Sequence, residues 1–146
     1  MKKITAAITA VGKYLPEYVL TNKILEGMVD TTSDWILTRT GIQERRILKG
    51  EGKGSSYMAI RAGNDLLAKS NVNPKEIDLV IIATATPDMK AASTAAFVAT
   101  EIGATNAFSF DLESACSSFL FGMSVASTYI ESGKYKKVLL IGSDMN

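Results

Sequence analysis

The sequence predicts an α/β fold built on a mostly parallel sheet. Two near-continuous apolar runs, Leu79-Val80-Ile81-Ile82-Ala83 within Ile77–Thr84 and the stretch Lys137–Gly142, read as strands covered on both faces. The strands alternate with helical stretches of about ten to sixteen residues, the arrangement that builds a parallel sheet. At Phe108–Gly122, two-residue alternation gives way to helical spacing around the only cysteine of the chain.

A chain of 146 residues with 47% apolar content is enough for one domain with a real core. Lys and Arg number 16 against 15 acids, a balance that argues against a nucleic-acid or membrane surface as the main partner. One cysteine excludes an internal disulfide framework and suits a reducing cytoplasm. Without histidine or a second cysteine, metal-ligand spacing is absent.

Met1-Lys2-Lys3 before Ile4–Val11 superficially resembles a signal peptide. The apolar run is too short, contains Thr5 and Thr9, and is closed by Gly12 and Lys13, so a first strand is expected. No later run approaches the length of a membrane span. Asn22 is placed to cap a short helix through Met28, with Ile24, Leu25 and Met28 as its apolar stripe. Thr31, Thr32 or Ser33 can cap a second over Asp34–Thr38, ended by Gly41. Gln43–Leu48 is extended, and Lys49–Gly54 is a mobile loop without core-forming side chains. It lacks the spacing of a phosphate-binding loop and receives no role.

Ser55 or Ser56 opens a helix to Ser70 that buries Met58, Ala59, Ala62, Leu66 and Leu67 and exposes Arg61, Asp65 and Lys69. Asn71–Glu76 connects to the Ile77–Thr84 strand. Ser93–Ile102 is a small Ala-rich helix stopped at Gly103. Phe108, Phe110 and Leu112 alternate with Ser109, Asp111 and Glu113 as a strand, and after Ser114 a helix runs to Ser132, with Gly133 as its stop. Lys134, Lys136 and Lys137 complement that helix end. Asn146 follows a buried strand with neither polar tail nor closing helix, so the chain reads as cut there.

Cys116 sits at the strand-to-helix junction. There, unpaired backbone N–H groups and the positive end of the helix dipole favour the nucleophilic thiolate. The residues alone leave open a second reading, a small buried hydrophobe. The apolar residues Phe119, Leu120, Phe121, Met123, Val125, Ala126, Tyr129 and Ile130 cover an arc of roughly 260°. Such a helix needs cover on more than one side, and its uncovered side is expected to drive self-association.

Tyr14-Leu15-Pro16, Asp34-Trp35-Ile36, Thr38-Arg39-Thr40-Gly41-Ile42, Glu44-Arg45, Ala115-Cys116-Ser117 and Gly142-Ser143-Asp144 together resemble β-ketoacyl-acyl-carrier-protein synthase III. The resemblance covers the whole chain but only the first half of that family, whose members have the thiolase fold. It implies that residues 1–146 form an N-terminal thiolase-like domain, a mixed, mostly parallel five-stranded sheet with helices on both faces. It implies that Cys116 is the nucleophile that accepts an acyl group from acyl-CoA. It also implies that Trp35, Arg39 and Thr31 hold the CoA, with the indole stacked on adenine and the guanidinium beside it. Without the resemblance, Trp35 reads as packing and Arg39 as surface charge.

The implied reaction condenses a short acyl-CoA with malonyl-acyl-carrier protein, in a cytoplasmic homodimer with no metal or redox cofactor. The family's His and Asn for decarboxylation come from the second half, and this chain has no His. Ala91-Ala92 stand where many relatives have Phe-Pro, which implies a wider acyl pocket in the full-length enzyme. Two rivals remain at this stage. One is another thiolase-fold acyltransferase, similar to 3-hydroxy-3-methylglutaryl-CoA synthase; the other is a non-catalytic dimerisation and CoA-docking fragment.

Overall fold

The computed structural model describes residues 4–145; the basic start at Met1-Lys2-Lys3 and the terminal Asn146 lie outside the described residues. The chain divides into two compact units, one of residues 15–53 and one of residues 1–14 with 54–146.

The smaller unit is a two-stranded ribbon with two short helices. β1 (Tyr18–Thr21) leads directly into α1 (Asn22–Glu26), followed by α2 (Ser33–Thr40) and β2 (Glu44–Ile47). β1 and β2 pair antiparallel with Tyr18 opposite Ile47 and Thr21 opposite Glu44. Thr21, not Asn22, caps α1, its hydroxyl accepting from the N–H of Ile24. Asn22 is buried and joins the ribbon instead: its amide donates to the Ile42 carbonyl at 2.8 Å and accepts from Arg45 at 2.6 Å. The expected α1 stripe is also wrong, because α1 ends at Glu26 and Ile24 and Met28 are exposed. For α2 the cap is Thr32, and Gly41 closes it with φ 71°, a left-handed turn that glycine takes without a Cβ clash.

The larger unit carries α3 (Ser55–Ser70), β3 (Leu79–Ala83), α4 (Thr94–Glu101), β4 (Phe108–Leu112), α5 (Ser118–Glu131) and β5 (Val138–Gly142). Its sheet is parallel in the order β4-β3-β5, so the most hydrophobic strand lies in the middle with all five residues buried. Register places Val80 and Ile82 beside Leu139 and Ile141, and these four pack with Ala59, Val98 and Ile102 of the α3–α4 layer. On the opposite face α5 lies against β5 through two glycines. A Cβ on Gly122 would come within 2.6 Å of Leu140, and one on Gly142 within 3.0 Å of the Phe119 ring. The outer flank of α5 stays open, with Leu120 69% and Phe121 55% exposed.

Three expectations need correction here. The described residues form a three-stranded parallel sheet and a separate two-stranded ribbon, not one five-stranded sheet. Ile4–Val11 is not a strand: the segment pairs with neither β4 nor β5, whose outer edges stay open among the described residues. Its Ile8 and Val11 are exposed, and the segment is anchored at its end, where Gly12 lies so close to α3 that a Cβ would meet the Ala62 carbonyl at 2.5 Å. Finally, β5 is not buried throughout. Leu139 and Ile141 are buried while Gly142 is exposed, as befits an edge strand.

Asp78 holds the lower end of this sheet together. Its carboxylate accepts the N–H groups of Lys136 at 2.8 Å and Lys137 at 3.0 Å, and its backbone bonds both Lys137 and Phe108. The Lys137 and Lys136 amides hold its carboxyl below the usual carboxylate range. The stabilisation is therefore complete above that range and is lost as pH falls through the lowered value. Asp78→Asn is expected to cost about 1 kcal/mol at pH 7 and less at pH 3. Thermal melts at both pH values measure this, and an equal deficit at the two would contradict it.

Candidate active site

Cys116 occupies a 3₁₀ turn, Ala115–Ser117, wedged between the end of β4 and the start of α5. Its thiol is exposed, which removes the buried-hydrophobe reading. The expected continuous helix after Ser114 is corrected to this turn followed by α5 from Ser118. Ala115 takes φ 45°, a left-handed conformation costing an L residue about 1–2 kcal/mol. The strand therefore reverses over one strained residue and delivers the sulfur at the carboxyl end of the parallel sheet, where α/β proteins place their chemistry.

The neighbouring strand ends are polar and tightly bonded. Asp144, just past β5, accepts from the Ala85 N–H at 2.7 Å and from the hydroxyls of Thr84 and Thr86 at 3.1 and 3.3 Å. Buried Ser143 donates to the Ser55 carbonyl, and Ser55 donates to that of Thr86. This explains Gly142-Ser143-Asp144 physically: the triplet ties the loop after β3 to the start of α3. Among the described residues no three His, Cys, Asp or Glu side chains gather as a metal ion would require.

A cleft of about 340 Å³ opens at the same sheet end, lined by Met89, Lys90, Ala91, Ala92, Asp111 and Glu113 among others. Asp111 shapes it. The residue lies on the α4 side of β4, and its two carboxylate oxygens take the N–H groups of Thr94 and Ala95, both at 2.7 Å. Charge at a helix N-terminus is favoured by the unpaired amides and the dipole together. Asp88 does the same for α3 through the Ser56 N–H.

In the smaller unit, Trp35 and Arg39 stand one turn apart on α2 and are brought together, the guanidinium carbon 5.0 Å from the ring centroid. Trp35 is 54% exposed, so it is not a packing residue within that unit. Thr31 is half-buried just before the Thr32 cap. Glu26 seats α2, accepting the Ser33 N–H at 2.6 Å and pairing with Lys23 at 2.9 Å. Those bonds, the Ser33 amide first, hold its carboxyl below the usual range.

Sequence reasoning missed Asp111 and Ser118. Asp111 reads as an outward polar residue in an alternating strand; its helix lies 17 positions back. Ser118, two residues after the cysteine, is buried and bonded into the turn; the Ser-Ala-Cys-Ser-Ser run was the available signal.

The family model for 3-oxoacyl-[acyl-carrier-protein] synthase III matches residues 110–146, from β4 through the cysteine turn to the chain end. β-Ketoacyl-[acyl-carrier-protein] synthase III 2 of Bacteroides thetaiotaomicron is 51% identical over 144 residues, 99% of this chain and 43% of that protein. The crystal structure of 3-oxoacyl-[acyl-carrier-protein] synthase III from Aquifex aeolicus VF5 superposes with TM-score 0.89 at 44% identity, over 97% of this chain and 44% of that one. The priming β-ketosynthase of the R1128 polyketide pathway superposes at 0.92 with 34% identity, over 98% and 42%. The fold thus places the chain among thiolase-like proteins. Within that class the chain belongs to the β-ketoacyl-acyl-carrier-protein synthase III family, of whose members it spans about two-fifths of the length. No described helix is long and apolar enough to cross a membrane.

Proposed function

We propose that this chain is the N-terminal half of a full-length 3-oxoacyl-acyl-carrier-protein synthase III in which Cys116 is the acyl acceptor. Its thiolate attacks the thioester carbonyl of a short acyl-CoA, the C–S bond to CoA breaks, and CoA leaves as thiolate. The acyl-enzyme then meets the carbanion left when malonyl-acyl-carrier protein loses CO₂. A C–C bond forms, and Cys116 departs as thiolate from a β-ketoacyl-carrier product. The observation that carries the reading is the single exposed thiol on a strained turn at the carboxyl end of the sheet, ahead of an apolar helix.

In this reading, residues 1–146 act as one thiolase-like domain, and the sheet reaches five strands in the whole protein. The protein works as a cytoplasmic homodimer without metal or redox cofactor. Trp35 and Arg39 already form a flat cationic–aromatic surface suited to a purine and its phosphates, and Thr31 lies near the same ligand. Trp35→Ala and Arg39→Ala in the full-length protein are each expected to raise KM for acetyl-CoA about tenfold, with kcat changed far less. Steady-state kinetics against acetyl-CoA tests this; an unchanged KM in both would remove α2 from the CoA site.

A second reading applies to the 146 residues by themselves. Having no His, they lack the decarboxylating group expected of the other half and serve as a docking and dimerisation module. Mixing them with acetyl-CoA separates the two: an acyl adduct on Cys116 means transferase chemistry survives, and its absence in folded protein means it does not.

A further inference from the structure

We propose that Ser118 is a positioning residue for the Cys116 thiol, its hydroxyl locking the turn that presents the sulfur. The inference rests on the acyl-acceptor role proposed above for Cys116. Ser118 is the first residue of α5 and only 3% exposed. Its Oγ accepts from the N–H of Ser114 at 2.6 Å and donates to the carbonyl of Ala115 at 2.8 Å. Ser114 and Ala115 precede the cysteine and Ser118 follows it, so one hydroxyl closes a loop around residue 116.

The loop includes a strained residue. Only Asn71 and Ala115 among the described non-glycine residues have positive φ. Asn71 sits at the end of α3, where an asparagine commonly takes that conformation. Ala115 has no polar side chain to offset its φ of 45°, and the Ser118 hydroxyl supplies the missing restraint by holding its carbonyl. Other serines of this helix region behave differently. Ser127 only back-bonds to a carbonyl three residues earlier and is not buried; Ser132, exposed past the helix end, back-bonds likewise and accepts a long bond from the Lys134 N–H at 3.4 Å. Ser118 alone of the three is buried, and the N–H it accepts, at 2.6 Å, comes from a residue ahead of the helix and of the cysteine.

Loss of the hydroxyl frees the Ser114 amide and the Ala115 carbonyl, and the turn relaxes away from the left-handed conformation. A displacement of the sulfur on the order of 1 Å is enough to cost about 10²-fold in transfer rate. In the full-length protein, Ser118→Ala is therefore expected to slow single-turnover acetylation of Cys116 by about 10–100-fold, with KM for acetyl-CoA within about twofold. Glycine adopts positive φ without strain, so Ala115→Gly combined with Ser118→Ala is expected to recover the rate to within about threefold. Iodoacetamide alkylation of Cys116 should follow the same order.

A Ser118→Ala protein that acetylates at the wild-type rate overturns the proposal, and so does a double variant as slow as Ser118→Ala. Should Ser118→Ala alone not fold, the double variant decides in the same way: folded and fast supports the role, while folded and slow, or unfolded, overturns it. Wild-type protein that takes no acetyl on Cys116 sinks the acyl-acceptor reading instead. The alkylation series still reports whether Ser118 sets the presentation of the thiol.

Discussion

Cys116→Ala in the full-length protein is expected to lower acyl transfer from acetyl-CoA by roughly 10³-fold or more, because no other side chain in the described turn offers a comparable nucleophile. Ser114, Ser117 and Ser118 flank the thiol, yet a serine hydroxyl is a far weaker nucleophile than a thiolate. Cys116→Ser should therefore be nearly as inactive as Cys116→Ala. Cys116 is exposed in residues 1–146, so in this fragment thermal stability should change by no more than about 0.5 kcal/mol. Activity lost with stability retained is the pattern of a reacting group. A Cys116→Ala protein that still transfers acetyl would contradict the assignment outright.

The largest stability effect is expected at Asp111. Asp111→Ala leaves the Thr94 and Ala95 amides without their charged acceptor, at a helix start where both residues are buried. Hydrogen bonds to a charged group contribute more than neutral ones, and the loss here is expected at about 2–3 kcal/mol. Asp111→Asn keeps one acceptor and should cost about half as much. The first turn of α4 would then fray, and with it the Met89–Ser93 segment that walls the cleft at the end of β4. Urea unfolding of the three proteins gives the comparison. A deficit below about 0.5 kcal/mol for Asp111→Ala would show that the cap is only solvated surface charge.

Elements whose signals are local were legible in the sequence. Thr32 and Gly41 bracket α2 because a cap hydroxyl and a left-handed stop act within one turn of the residues they bound. β3 was legible because five consecutive apolar residues can only lie in the middle of a covered sheet. What failed depends on partners. Ile4–Val11 has strand-forming residues, but composition alone does not decide pairing, and the segment joins neither open edge of the described sheet. Tyr18–Thr21 was overlooked for the opposite reason: four residues carry little pattern, and β2 makes them a strand.

At the site, the cysteine and the Trp35–Arg39 pair were visible as residue types at telling places. The groups that hold them were not. Asp111 reaches a helix 17 residues earlier in the chain, a contact that no spacing rule encodes. Asn22 reads as a helix cap from its position, but burial and the Arg45 pair draw it into the ribbon, and Thr21 takes the cap.

The most direct measurement is peptide mapping of the full-length protein after brief exposure to isotopically labelled acetyl-CoA. One label per chain, confined to the peptide containing Cys116 and discharged on addition of malonyl-acyl-carrier protein, is the predicted result. Label absent from that peptide, or carried on another residue while product still forms, would contradict the account.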